Sequence, residues 1–215
     1  MARSKEHNER IKEERKDEIE RQALLLFSSR GLSATKISDI AKAVGISQGL
    51  FYHYFKSKEE LYVYLIKRGF ANLNEACRWL EAQEMSPGEK ISFALRELIK
   101  LLDEDENAAR YHLLIAQASV SEAIPAEART IIEKENKFPY ASMAGIMARG
   151  QEAGEIKKEY SPEELALVFW TSINGLAIYR AVHGKLFTAP DSSILATMFL
   201  NKKITKEMSD RNAEF

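Results

Sequence analysis

No proline stands before Pro87 in this 215-residue chain, and the whole chain holds only five. With ten glycines, that leaves long stretches in which nothing interrupts a helix. Proline removes a backbone donor, glycine weakens helices, and an all-β sandwich needs such residues at short intervals for its turns. The chain therefore reads as all-α. Apolar residues make up 45% and charged residues 29%, which excludes a disordered chain and supports a real core. A single cysteine, Cys77, excludes a disulfide framework and a cysteine-based metal cluster. With no apolar run in the first 21 residues, it also points to a cytoplasmic location.

Charge is unevenly placed. Residues 1–58 carry twelve Lys/Arg against eight Asp/Glu, a net +4, while residues 59–215 carry a net −5. A basic head on an acidic body fits a head that meets a polyanion. The longest uncharged run, Leu165–Tyr179, is shorter than the roughly 20 apolar residues of a membrane span. It reads as a buried helix, apolar nearly all round, with one side for its own domain and the other for a partner subunit. No membrane partner is expected.

Periodicity and cap signals place the helices. Ile19, Ala23 and Phe27 recur at i, i+4, i+8 in a first helix over about 11–29, stopped by Gly31. Ile37, Ile40, Ala41 and Val44 make a two-turn second helix ended by Gly45. Ser47 caps a third, from Gln48 to about Lys56. Ser57-Lys58-Glu59-Glu60, Ser86-Pro87-Gly88-Glu89 and Ser161-Pro162-Glu163-Glu164 are capping boxes, each predicting a helix start. A long fourth helix follows Ser57. Others are expected over 89–103, 107–119, 124–135, 139–153, 162–183 and 191–207.

The chemistry lies in Thr35–Lys58. Two short helices joined by Val44-Gly45-Ile46-Ser47 form a helix-turn-helix pattern, about 37–56, whose second helix would enter a DNA major groove. Leu50, Phe51 and Phe55 suit the packed side, and Ser47, Gln48, Gly49, Tyr52 and His53 the other. Gln48 has the bidentate amide that reads adenine, Gly49 lets backbone approach DNA, and Tyr52 and His53 reach phosphate or base edges. Thr35 and Lys36 open the preceding helix, where free N–H groups suit a phosphate, and Lys56 and Lys58 flank the groove. Tyr54 reads as a core aromatic, and Tyr52 as a DNA contact in preference to the core.

These residues resemble the TetR-type (tetracycline-repressor-like) family of transcriptional regulators. The matching pattern is Phe27, Gly31, Thr35, Ile40-Ala41, Val44-Gly45-Ile46-Ser47, Gly49, Tyr52, Tyr54-Phe55, Ser57-Lys58 and Leu61, with Tyr54 where the family commonly has His. The resemblance covers about 15–62. It implies a DNA-binding domain over 1–60 and a ligand-binding and dimerisation domain over 61–215. It also implies a homodimer, paired through its last two long helices, on a palindromic double-stranded operator. A small effector in the body would shift the fourth helices and release the heads. A repressor is the expected sign. The alternatives are a constitutive DNA-binding architectural protein whose body only dimerises, and a helical enzyme. No Ser-His-Asp set, phosphate loop or H-E-x-x-H is present for the last, and the four histidines stand at distant positions, so no cofactor and no metal is expected. A hydrophobic or amphipathic effector would meet Trp79, Tyr111, Phe138, Tyr140, Met143, Met147, Trp170 and Asn174, with Tyr179 a further candidate. It would sit between the fourth helix and the helices of 107–180. Core packing is the competing role for each of these residues.

Overall fold

A computed structural model describes residues 2–201. Among the described residues ten α-helices follow one another: α1 (Ala2–Ala34), α2 (Ile37–Val44), α3 (Gln48–Phe51), α4 (Lys58–Ala82), α5 (Pro87–Glu104), α6 (Glu106–Val120), α7 (Ala126–Glu135), α8 (Lys137–Glu152), α9 (Pro162–His183) and α10 (Ser192–Phe199). Among the described residues there is no strand, only one antiparallel bridge, Ile156 to Leu200. The all-α expectation holds. Packing divides the chain into two compact units: Met1–Gly69 with Arg110–Ile132, and Phe70–Ala109 with Glu133–Phe215.

In the first unit Ile19, Ala23, Leu24 and Phe27 of α1 are buried with Ile40, Ala41 and Val44 of α2, as their spacing predicts. Phe27 meets Tyr62 edge-on at 5.3 Å. The unit also takes in α6 from Arg110 onward. There Gln117 Nε2 donates to the Ser28 carbonyl at 3.0 Å, and Tyr111 lies so near α4 that a Cβ on Gly69 would sit 3.0 Å from its ring. The second unit buries Ile91, Leu95 and Ile99 of α5 against Met143, Ile146 and Met147 of α8 and Phe169, Trp170 and Ile173 of α9.

Caps explain most boundaries. Ser86 and Ser161 close their boxes in both directions with Glu89 and Glu164. At Ser57 the hydroxyl accepts from Glu60 N–H, but the Glu60 carboxylate turns to Lys56 N–H, one residue before the expected partner. The boundaries of four helices differ most from the sequence pattern. Helix α1 runs well before residue 11 and past Gly31, where the backbone leaves helical geometry at φ 78, ψ 166. Helix α3 ends at Phe51, because the next N–H groups bond three residues back, His53 to Leu50 and Tyr54 to Phe51. Helix α8 starts at Lys137, before Pro139, which falls in its first turn where no intrahelical donor is needed. Helix α10 stops at Phe199 because Leu200 turns extended to bridge Ile156, and the rest of the expected 191–207 helix lies outside the described residues.

Candidate nucleic-acid interface and apolar cavity

The helix-turn-helix is built by its own sequence. Gly45 is left-handed at φ 74, ψ 36, and its N–H and that of Ile46 return to the last carbonyls of α2. Any other residue would be strained there. Ser47 then accepts from Leu50 N–H at 3.1 Å and starts α3. Phe51 and Phe55 are buried and anchor the segment from below, 6.1 Å apart, with Phe55 edge-on to Tyr64.

The opposite side is open. Ser47, Gln48, Gly49, Tyr52, His53 and Lys56 are all exposed. A Cβ on Gly49 would meet only Ser47 Oγ, at 3.8 Å, so nothing in its own chain calls for glycine. Leu50, expected on the packed side, is 38% exposed and joins this surface. Tyr54 is half-buried. Within residues 33–58 the acid count is one, Asp39, against four lysines.

Two of the expected phosphate contacts are corrected. Thr35 is fully buried, and its hydroxyl donates to the Gly31 carbonyl at 2.8 Å, so it ties the end of α1 and does not face outward. Lys58 turns inward: Nζ donates to the carbonyls of Leu32 and Thr35, both at 2.8 Å. A charge held on the carbonyls at the end of α1 is a positioning group. Lys36 is exposed, and its backbone N–H donates to Asp39 Oδ2.

The second unit holds a cavity of about 280 Å³. Leu73, Ala76, Trp79 and Leu80 of α4 form one wall and Phe93, Ala94, Glu97, Leu98 and Leu101 of α5 another, with Met143 of α8 and Trp170 of α9. Trp170 Nε1 donates to the Pro139 carbonyl at 3.0 Å, which fixes the ring. Of the expected effector residues, the cavity brings together Trp79, Met143 and Trp170. Tyr140 lies instead in a second hollow of about 460 Å³ between α8 and α9, lined by Ala141, Ala144, Gly145 and Ala148. Burial raises its phenol pKa.

The other candidates lie elsewhere. Met147 is fully buried core. Phe138 lies under the Arg78 guanidinium at 4.9 Å. Asn174 is half-buried in α9 and Tyr179 stacks on His183 at 4.0 Å. Tyr111 packs at Gly69 in the first unit and does not line this cavity. The α5 wall was missed altogether, although Phe93, Glu97 and Leu101 stand at i, i+4, i+8. A carboxylate between two large apolar residues on one helix face is the signal that was there to read.

Helix α9 with its following turn, Pro162–Leu186, is long and apolar enough by length and composition to cross a membrane. Its inner face is core, yet Leu167, Ile178 and Val182 on the other side are 52%, 40% and 69% exposed. With Thr171 and Gly175 they follow one stripe at i, i+4, i+8, i+11, i+15. Ile194 and Met198 of α10 are exposed too.

Comparison with known proteins agrees with this geometry. Residues 19–65 match the family model for bacterial regulatory proteins of the tetR family. The HTH-type transcriptional regulator AcrR of Shigella flexneri is 36% identical over 93 residues, 43% of this chain and 42% of that one, so the matched stretch spans less than half of that relative's length. The HTH-type transcriptional repressor KstR2 of Mycobacterium tuberculosis is 29% identical over 148 residues, 67% and 70% of the two chains. The structure of that ketosteroid transcriptional regulator superposes with a TM-score of 0.72 at 22% identity over 87% of this chain and 96% of that one. The MbdR regulator from Azoarcus sp. CIB gives a TM-score of 0.76 at 20% identity, covering 87% and 97%.

Proposed function

We propose that this chain, whose residues 19–65 match the family model for bacterial regulatory proteins of the tetR family, is a DNA-binding transcriptional regulator, a homodimeric repressor released from its operator by a small apolar effector. The observation that carries the reading is the exposed row Gln48, Gly49, Tyr52, His53 and Lys56, set over the buried Phe51 and Phe55. An amide, two aromatic hydrogen-bonding groups and an ammonium on one rigid face can meet base edges and phosphates together. Lys36, exposed at the start of α2, adds a second cation. The DNA-binding function is assigned to residues 1–60 and the effector and dimer functions to 61–215, in a cytoplasmic protein.

A dimer is supported by the uncovered stripe of α9 and by Ile194 and Met198 of α10. Gly175 has nothing within 4 Å of a Cβ position, so its glycine leaves room for another helix to approach. Two copies joined there would present two heads to a palindrome, and a change in head spacing would end simultaneous engagement. The effector reading is supported by the 280 Å³ cavity and its almost wholly apolar wall. The likeness to a ketosteroid transcriptional regulator agrees with an apolar effector class.

The test is selection of binding sites from random duplex DNA, followed by fluorescence anisotropy of the selected operator and a scrambled duplex. A palindromic selection bound by two copies is the expected result. No enrichment, or equal affinity for both duplexes, overturns the reading. A constitutive architectural protein is distinguished by an operator complex that no cavity-binding compound weakens.

A further inference from the structure

The cavity wall is chemically lopsided. Glu97 is the single charged residue in it. Trp79 and Phe93 stand with ring centroids 5.5 Å apart at 37°, and Trp170 also lines the space. Three aromatic rings and one carboxylate around an apolar space are the elements of a cation site. Ring quadrupoles and the carboxylate both attract positive charge, and both gain strength where water is displaced.

The same wall gives an anion little. The Trp170 N–H is already given to the Pro139 carbonyl, and apart from the Trp79 indole no lining side chain has a donor to offer. Arg96 does not line the cavity, but its guanidinium already stands over the Phe93 ring at 5.3 Å and its Nε pairs with Glu97 Oε1 at 3.1 Å, so a bound cation would have to compete with it for both groups. The Arg96 and Glu97 side chains are about half exposed, at 55% and 45%, so that pair is solvent-screened and weak. Glu97 Oε2 has no hydrogen-bond partner among the described residues.

Size narrows the class further. A cavity of about 150 Å³ holds benzene, so about 280 Å³ suits two fused six-membered rings. We propose that the cavity selects a flat bicyclic aromatic cation, its rings against Trp79, Phe93 and Trp170 and its positive charge toward Glu97. This rests on the effector reading above and adds to it the charge, the size and the residue that discriminates.

Three probes of one size separate the terms: N-methylquinolinium, quinoline (uncharged at pH 8) and 2-naphthoate, titrated calorimetrically into the whole protein. The chain's two tryptophans both line the cavity, so quenching of their fluorescence reports binding at this place. The expected order is cation, neutral, anion, with the cation about tenfold tighter than quinoline. Glu97→Gln, at a half-exposed position, should bring cation and quinoline within about twofold while quinoline affinity stays unchanged. Equal wild-type affinities, or an unchanged preference in Glu97→Gln, overturn the cation assignment. Binding of quinoline that weakens the operator complex, without any cation preference, overturns the assignment and leaves the effector reading standing. If none of the three probes binds the wild type, the cation site is overturned. Operator release by some other apolar compound would then still uphold the effector reading, and the failure of all such compounds would end it.

Discussion

The Nζ of Lys58 lies 2.8 Å from the carbonyl oxygen of Thr35, 23 residues earlier, and the same ammonium holds the Leu32 carbonyl at 2.8 Å. One cation thus ties the first residue of α4 to the link between α1 and α2. Hydrogen bonds from a charged donor contribute about 1.5–3 kcal/mol, and carbonyls left half-buried lose that. Lys58→Ala should therefore lower the stability of the head by about 1–2 kcal/mol. It should leave the salt slope of DNA binding nearly intact at temperatures where the head is folded. Urea unfolding and anisotropy at several salt concentrations separate the two effects. A unit drop in the salt slope with unchanged stability would return Lys58 to the phosphate.

Gln48 and Lys56 carry the opposite expectation, because both are exposed beside buried Phe51 and Phe55. Gln48→Ala should cost about 1–3 kcal/mol on the selected operator and relax preference at one position. Lys56→Ala should weaken all duplexes alike and reduce the salt slope by about one. Stability should stay within about 0.5 kcal/mol of wild type for both. Anisotropy on operator and scrambled duplexes decides it, and two variants with wild-type behaviour would remove α3 as the reading element.

What was legible in the sequence is what neighbours along the chain determine. Gly45, Ser47 and the boxes at Ser86 and Ser161 each act within a few residues, and all four stand where the pattern puts them. Thr35 and Lys58 could not be read this way. A threonine and a lysine beside a helix start look outward until tertiary structure supplies Gly31 and Leu32 as acceptors. Tyr111 looked like a cavity aromatic, yet the close approach of α4 and α6 at Gly69 places it in the first unit. The cavity was half visible: Trp79, Met143 and Trp170 are among the expected effector residues, while none of the α5 wall is. Helix α10 was overextended because a bridge from Ile156, 44 residues away, pulls Leu200 into an extended conformation.

Glu20 and Arg68 form another tie invisible to local pattern, 48 residues apart. Glu20 is buried, with its side chain 4% exposed, and Lys16 Nζ stands 3.8 Å from its other oxygen. Arg68→Ala would leave the carboxylate with only that weaker neighbour, and should destabilise the first unit by about 2 kcal/mol. Glu20→Gln should cost less, because it removes the buried charge itself. Adding Glu20→Gln to Arg68→Ala should recover part of the loss in a double-mutant cycle followed by urea unfolding. Additive single effects would mean that the pair contributes nothing.

Alkaline pH tests two buried groups. Burial pushes the Tyr62 hydroxyl from 10.0 to about 12. Burial, reinforced by Glu81, pushes the Cys77 thiol from 9.0 to about 11. Both groups hold their protons more firmly when folded. Their contribution is full below about pH 8, where both states are protonated, and falls as the unfolded chain ionises first. Stability should therefore decline from about pH 8 toward pH 12, by on the order of 1 kcal/mol per group. Tyr62→Phe should flatten the upper part of the decline and Cys77→Ala the lower part. Urea midpoints between pH 8 and pH 11 provide the measurement; a flat profile would mean that neither group resists ionisation in the fold.

The α9 stripe gives the last test. Leu167, Ile178 and Val182 project apolar surface on the side of α9 away from its own core. If two copies meet there, Val182, at 69% exposure in the single chain, becomes buried on association. A charge at that position is then desolvated in both copies by the two-fold symmetry, with no opposite charge to receive it. Val182→Asp should weaken association by several kcal/mol while changing single-chain stability little, since in one copy the new carboxylate faces water. Sedimentation at micromolar protein should give a wild-type dimer and a largely monomeric variant. Operator affinity in the variant should fall toward that of one head on one half-site. A wild-type monomer without DNA would overturn the dimer and the palindrome together. A variant that remains dimeric would instead move the interface away from this stripe.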